Sequence, residues 1–324
     1  MSLPDYVDLG GGQVLQQPIV AQGVEYYGFW LDADSDVLQE RICDRYLNEP
    51  SGGAVSFRPL VPYVILCFCR LKAMRCKNPP DSEKGWFDEA EVAFWVPIVD
   101  ERRKRMCWFL PYILVDDPYA FAMGREIYGF PKGYGWFEIP VAHDKGPLQF
   151  SADTTVLPAF SPETHAERRT LVSVRENWTE GGRPRLGQAW TGVKDAAEGF
   201  LHFIEHRHGT GSVLADFKLL LHVGDDLLHG TVRFAFLKQF RDVSNPAAAC
   251  YQAIVEAPAK LTKLEAGLPL LSEFEIDVAD FASHPIREDL GLGPSPLTSV
   301  GAFYTQFDMD VLDGETVWSA GSND

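Results

Sequence analysis

Most of the chain alternates short apolar runs, rich in β-branched and aromatic residues, with clusters of glycine, proline and aspartate. VEYYGFWL (24–31), PYVILCFCRL (62–71) and EAEVAFWVPIV (89–99) have the composition of β-strands. The other candidate strands are MCWFLPYILV (106–115), GWFEIPV (135–141), VLADFKLLLHV (213–223), GTVRFAFLKQF (230–240), CYQAIVEAPAKLTKL (250–264), LSEFEIDVADF (271–281) and VGAFYTQFDMDVL (300–312). Many strands with few helices between them predict antiparallel barrels or sandwiches rather than repeated strand–helix–strand units.

Three segments have helical features instead. Asp34 or Ser35 is positioned to cap a helix over DVLQERICDRYL (36–47). DDPYAFAMGREIYG (116–129) has a proline just inside a candidate helix start and a glycine at its end. WTGVKDAAEGFLHFIEH (190–206) carries an apolar stripe at helical spacing. Helices are therefore expected to be few and peripheral to the strands.

The domain organisation follows from a change in composition near the middle of the chain. The stretch at roughly 158–189 is polar and rich in Arg, Glu, Pro and Gly, which is typical of a long excursion from a β scaffold. We predict a single domain over residues 1–324, with an insertion at about 158–212.

Composition and charge narrow the class of protein. The 324 residues are 46% hydrophobic, which is enough for a substantial core, and the net charge of -17 argues against nucleic acid as the main partner. No run reaches the roughly 18 apolar residues that a membrane helix needs. The start, MSLPDYVDLGGG, lacks the basic and apolar parts of a signal peptide. A soluble, cytoplasmic protein is expected.

Two groups of residues are candidates for metal ligands. The six cysteines lack the paired, repeated spacing of a zinc site, so buried reduced thiols are expected. His202, His206 and His208 lie in HFIEHRH, and the first two would share a helix face. Their order is not that of a known zinc motif, and a polar helix end is the simpler interpretation. No metal is predicted.

Lys132 is the stronger candidate for chemistry. It follows the second predicted helix and is surrounded in sequence by aromatic residues. Burial among apolar side chains disfavours an ammonium, and a neutral amine near a carbonyl group forms a Schiff base. The protonated imine then withdraws electrons from the adjacent carbon, so that a C–C bond can break or form there. The alternative is a lysine whose stem lies on apolar surface while its charge reaches water.

The segment around Lys132 resembles the signature of the acetoacetate decarboxylase family, G-R-E-x-x-x-[YF]-P-K. Here it is Gly124, Arg125 and Glu126, followed by Phe130, Pro131 and Lys132. WFDEAEVAFWVPI resembles the family's Y-x-E strand, and FLKQF, AKLTKL and SHPIREDLGLG resemble its C-terminal half. The resemblance implies a β-rich α+β fold, with an antiparallel β-barrel or double sheet and peripheral helices. It also implies a homo-oligomer.

The resemblance implies roles for individual residues. Lys132 matches the Schiff-base lysine, and Glu89 matches the active-site glutamate that transfers protons or orients the intermediate. Asp88 or Glu91 becomes the match if the strand register differs, because a one-residue slip moves a side chain to the other face. Arg125 and Glu126 are interpreted as structural, as an ion pair between helix and strand. The apolar site is expected to include side chains from the following residues: Tyr128, Phe130, Tyr134 and Trp95.

Three departures from the family pattern change the expected activity. Gly133 replaces a second lysine, Val24 replaces a first-strand arginine, and Cys67 replaces a second glutamate. The presumed anchors for the carboxylate of acetoacetate are therefore missing. This pattern is closer to superfamily members that perform aldol condensation or dehydration on pyruvate-like 2-oxo acids. We expect a lysine-imine lyase acting on a small oxo acid or related carbonyl compound, without metal or organic cofactor. The alternative is a non-catalytic small-molecule-binding barrel.

Overall fold

The computed structural model of the chain describes residues 4–8, 14–178, 186–190, 192, 195, 198 and 230–321. Within these ranges fourteen strands form one sheet, which confirms the predicted strand-rich fold. The strands are β1 (Ile19–Asp32), β2 (Phe57–Pro59), β3 (Tyr63–Cys76), β4 (Phe87–Asp100), β5 (Arg105–Val115), β6 (Lys132–Glu138), β7 (Gln149–Val156), β8 (Glu167–Asn177), β9 (Thr231–Arg241), β10 (Ala249–Leu270), β11 (Glu273–Val278), β12 (Leu297–Thr298), β13 (Gly301–Val311) and β14 (Glu315–Ser319).

The strand order places distant parts of the chain side by side. Neighbouring strands follow the order β12-β11-β8-β7-β6-β5-β9-β10-β13-β1-β3-β4-β2, and β14 pairs with β10. β5 pairs with β4 as well as with β9. The hydrogen-bonded path from β5 through β9, β10, β13, β1, β3 and β4 therefore returns to β5.

The sheet is mixed, which corrects the prediction of antiparallel strands throughout. β5 runs parallel to β6, with Ile113 opposite Lys132, and parallel to β9, with Trp108 opposite Phe234. The connection from β5 to β6 contains a helix, and a crossover of this kind lets the next strand run in the same direction. One strand–helix–strand unit therefore lies at the segment that holds Lys132.

The helix between β5 and β6 begins and ends where the sequence predicts. This helix is α2 (Pro118–Met123), and the first helix in the chain is α1 (Ser35–Leu38). The Asp117 side chain caps α2 by accepting a hydrogen bond from the Ala120 backbone N–H. It continues as a wider π-helical turn, and Gly129 ends it with φ +88°. This left-handed conformation favours glycine because a Cβ would clash with the backbone there.

The first helix also confirms its predicted cap. The Asp34 carboxylate accepts from the backbone N–H groups of Asp36 and Val37 at the start of α1. The helix then continues in π-helical form over Gln39–Asn48. A third helix, α3 (Ile286–Leu290), lies near the C-terminal end.

Strand alternation divides the apolar side chains between the two faces of the sheet. One cluster contains Phe29, Phe68 and Phe94. The other contains Cys67 and Ala93, among others. Side chains two residues apart in a strand share a face, so the face of Ala93 also carries Glu89 and Glu91. The candidate chemistry therefore belongs to the second face.

Only part of the predicted insertion falls in the described residues. β8 lies within the predicted 158–189 excursion, yet it pairs with β7 and β11 as a regular member of the sheet. The candidate strand at 213–223 and nearly all of the candidate helix at 190–206 lie outside the described residues. The insertion thus stays a prediction. Among the described helices, none has the length and apolarity required to cross a membrane.

Candidate active site

Lys132 is the first residue of β6 and directly follows the turn that ends the second helix. Gly129 terminates that helix, and Pro131 lacks the N–H that would continue it. Lys132 then pairs with Ile113 of β5. The Arg125 side chain donates to the Lys132 carbonyl oxygen at 2.9 Å, instead of forming the predicted ion pair with Glu126. The backbone is thereby fixed on both sides of the lysine.

The structure brings Lys132 and Glu89 together. Lys132 Nζ lies 2.9 Å from Glu89 Oε1, and the two side chains are 7% and 1% exposed. Burial raises the pKa of the Glu89 carboxyl, and the nearby Lys132 opposes that rise. The Lys132 amine and the Glu89 carboxyl group, whose pKa is raised, therefore share a site from which bulk water is largely excluded.

Glu91 is a second carboxyl group on the same face of β4. Strand alternation places it beside Glu89, whereas Asp88 is exposed and belongs to the opposite face. Burial, followed by repulsion from Glu89, raises the pKa of Glu91 to about 8. Of the two alternatives to Glu89, only Glu91 thus belongs to the site. The i, i+2 spacing of the two glutamates in EAEV is the sequence signal for this arrangement.

Uncharged polar side chains continue the site across the neighbouring strands. Tyr26 of β1 lies opposite Cys69 of β3, which in turn lies opposite Glu91. Cys67, two residues from Cys69, accepts a hydrogen bond from Trp95 Nε1 at 3.1 Å. Burial raises the pKa of both thiols, so they are uncharged at neutral pH. Cys67 therefore brings no negative charge to the position where the family has a glutamate.

The other two departures from the family pattern lie beside this site. Val24 is opposite Leu71, which is opposite Glu89, so the missing arginine belongs to the same cross-strand row as that carboxyl. A Cβ added at Gly133 would lie 2.9 Å from Leu114 Cδ2. A larger side chain at Gly133 would therefore have to displace Leu114. Neither position supplies a second cation.

Gly124 leaves the space that the lysine side chain occupies. A Cβ added at Gly124 would lie 2.8 Å from both Cδ and Cε of Lys132 and 3.4 Å from its Nζ. Such approaches are shorter than ordinary carbon–carbon contacts. The sequence motif alone does not indicate a separate role for this glycine. The close approach of the Lys132 side chain supplies a physical reason for a glycine at position 124.

A cavity of about 710 Å³ lies on the same face as Glu89 and Glu91. Its walls include Tyr26, Trp95 and Phe234, but Lys132 and Glu89 do not line it. Tyr26 and Trp95 pack edge to face, with ring centroids 5.6 Å apart. Tyr26 belongs to the same cross-strand row as Glu91. Glu89 and Glu91 therefore lie toward the end of the cavity that Tyr26 lines.

The four predicted aromatic residues take different positions. Trp95 lines the cavity. The Phe130 ring centroid is 5.5 Å from Lys132 Nζ, and the buried Tyr128 packs edge to face against Phe130. Tyr134 is 46% exposed and contacts Trp136. Tyr134 therefore does not belong to the candidate substrate site. It is the last residue of β6 that pairs with β5, and from Gly135 onward β6 pairs with β7.

The alternative site at His202, His206 and His208 lies outside the described residues. Within the part of the chain that is described, no three side chains of the metal-binding types are grouped to hold an ion.

Comparisons with known proteins give structural matches only. No protein-family model matches this chain, and no curated protein matches its sequence. The chain is similar in structure to an acetoacetate decarboxylase from Legionella pneumophila, with a TM-score of 0.61 and 15% identity over 99% of this chain and 93% of that chain. It is also similar to the enduracididine biosynthesis enzyme MppR, with a TM-score of 0.56 and 11% identity over 95% of this chain and 93% of that chain.

A third solved structure has a similar fold. An acetoacetate decarboxylase-like enzyme from Sphingomonas wittichii has a TM-score of 0.54 and 10% identity, over 95% of each chain. These identities are low, and what the matches share with this chain is the strand-rich architecture described above. The chain therefore has the acetoacetate decarboxylase-like fold, as its GRE…PK segment predicts.

Proposed function

We propose that the protein is a Schiff-base-forming lyase that acts on a small oxo acid or a related carbonyl compound through Lys132. The buried contact between Lys132 Nζ and Glu89 Oε1 is the observation that carries this proposal. The fold supports it as well, because MppR has been seen complexed with pyruvate and with a condensation product of pyruvate and an aldehyde. The returning strand path around β5 supports the further prediction that the sheet forms a barrel.

The chemistry requires Lys132 to react as the free amine. Glu89 is in position to accept the ammonium proton, since burial raises the pKa of its carboxyl group. The amine nitrogen then forms a bond to the carbonyl carbon, and one proton passes from this nitrogen to the carbonyl oxygen, which becomes a hydroxyl group. Glu89 returns its proton to this hydroxyl, which leaves as water and yields the protonated imine.

The protonated imine accepts the electron pair of a neighbouring bond. Loss of carbon dioxide or of an aldehyde breaks a C–C bond, and loss of a proton prepares the carbon for aldol addition or dehydration. Glu91, whose pKa of about 8 keeps it protonated at neutral pH, is a second proton donor beside Glu89. The reaction needs no cofactor because the lysine nitrogen serves as the electron acceptor.

Borohydride trapping tests the proposal. The purified full chain would be incubated with pyruvate, acetoacetate or acetone, reduced with borohydride, and analysed by intact mass and peptide mapping. We expect one reduced adduct per chain, located on Lys132. If no carbonyl compound gives an adduct, the non-catalytic binding protein is the better interpretation. An adduct located only on another lysine would contradict the assigned nucleophile.

Gly124→Ala tests whether the space beside the lysine matters for the chemistry. The added methyl group should displace the Lys132 stem and lower the rate of imine trapping by about 10–100-fold, because small misplacements of a reacting group are costly. Gly293→Ala is the matched control, since a Cβ there meets only Leu297 Cδ2, at 3.6 Å. Equal trapping rates for both variants would show that Gly124 has no positioning role, provided that both give the wild-type circular dichroism spectrum.

A further inference from the structure

The cavity is much larger and more apolar than a small oxo acid requires. Its volume of about 710 Å³ falls within the roughly 300–1,000 Å³ of pockets that enclose drug-sized ligands. Large aromatic walls come from Trp30, Trp108 and Phe303, in addition to Tyr26 and Trp95.

Charged groups are scarce along these walls. Among the described lining residues, Glu273 is the one charged side chain, and it is exposed at the surface. No described lysine, arginine or histidine lines the cavity to receive an anion. An uncharged apolar group therefore suits the cavity better than a carboxylate does, because an unpaired charge removed from water is unfavourable.

Aromatic side chains connect the cavity to the reacting amine. Phe234 lines the cavity and lies 5.3 Å from Trp95 and 5.8 Å from Phe130, measured between ring centroids. Phe130 in turn lies 5.5 Å from Lys132 Nζ. A single ring, that of Phe130, thus contacts both the cavity wall and the nucleophile.

We propose that the carbonyl substrate carries a bulky, uncharged apolar substituent, which this cavity holds while the carbonyl carbon reacts with Lys132. The proposal rests on the imine-forming function proposed above. Burial of such a substituent in the cavity supplies binding free energy that a methyl group cannot supply.

Two pairs of probes separate the size of the substituent from the charge of the head group. Acetone and benzylacetone are neutral ketones, and pyruvate and benzylpyruvate are 2-oxo acids. Borohydride trapping on Lys132 would be measured against the concentration of each. In both pairs we expect half-maximal trapping at a concentration at least about tenfold lower for the benzyl compound, since burial of a phenyl ring strengthens binding by this amount or more. Equal or stronger trapping of the smaller compounds would overturn the proposal.

A variant of the wall tests the location. Val232 lines the cavity two residues before Phe234 in β9, so Val232→Trp should fill the cavity and remove the benzyl preference. Val243→Trp is the matched control because Val243 is 98% exposed. A benzyl preference that survives in a folded Val232→Trp protein would place the substituent elsewhere.

Tryptophan fluorescence separates failure of this proposal from failure of the proposed function. If the probes are trapped without a benzyl preference, the lyase function stands and the substrate class is wrong. If nothing is trapped, the function fails, and quenching by benzylacetone that Val232→Trp abolishes would still establish the apolar site. If there is neither trapping nor quenching, both proposals are wrong.

Discussion

We expect Lys132→Met to lower the rate of imine trapping by at least about 10³-fold, because the substitution removes the amine that we propose bonds to the substrate carbon. Methionine preserves an unbranched apolar stem, so the aromatic surroundings of position 132 stay filled. The measurement is the rate at which reduced adduct accumulates, by mass spectrometry, at a saturating concentration of the best carbonyl probe.

Lys238→Met is the matched control for this loss. Lys238 is a partly buried lysine near the same turn, its Nζ donates to the Ile127 carbonyl oxygen at 3.1 Å, and burial lowers its pKa. It is therefore the described lysine that most resembles a competing nucleophile. Wild-type trapping in Lys238→Met together with none in Lys132→Met would support the assignment. The reverse pattern would transfer the imine to Lys238.

The second large effect concerns stability. We expect Glu89→Ala to lower the free energy of unfolding by about 3–5 kcal/mol at neutral pH, because it leaves the buried Lys132 without its partner. The double variant Lys132→Met, Glu89→Leu removes both polar groups and should recover most of this loss, since an apolar pair of similar volume often replaces a buried ion pair without cost. Urea denaturation of the two variants measures the difference.

Glu91→Gln is the control for Glu89→Ala, because it also removes a carboxyl group from this part of β4. Its effect on the free energy of unfolding depends on pH, and the sign follows from the pKa of Glu91. Burial raises the pKa of Glu91 to about 8, against an ordinary value of 4.5. The folded state therefore binds this proton more tightly than the unfolded state, and the stability that this adds is lost progressively as the pH rises from 4.5 and is gone above about pH 8. Glu91→Gln should accordingly stabilise the protein above about pH 8 and much less near pH 5.

For the Glu89 prediction, equal losses of stability in Glu89→Ala and in the double variant would exclude a special pairing of Glu89 with Lys132.

Local sequence signals predicted the position of the lysine well. Asp117, Pro118 and Gly129 set the start and the end of the second helix through capping and backbone geometry, which depend on neighbours in the chain. Lys132 consequently lies at the start of β6, as expected. The strand candidates at 62–71, 89–99 and 106–115 were also correct, because alternation and β-branched composition are local properties.

Features that depend on distant parts of the chain were not predictable. The parallel pairing of β5 with β9 joins Trp108 to Phe234, and no periodicity signals such a contact. Tyr134 is exposed at the point where β6 exchanges β5 for β7 as its partner, and nothing in the local sequence signals this exchange. The register of β4 places Glu89, rather than Asp88, on the side of the strand that faces Lys132, and one sequence alone left that register open.

Most of the cavity wall comes from strands other than those of the groups that we propose to react, although Trp95 of β4 also lines the cavity. β4 and β6 supply Glu89 and Lys132, whereas β9 and β13 supply Val232, Phe234 and Phe303. Mutations in β9 and β13 can therefore broaden or narrow the range of accepted compounds while the bond-making atoms stay unchanged. Such a separation makes this scaffold a good starting point for directed evolution, with randomisation confined to the two distal strands.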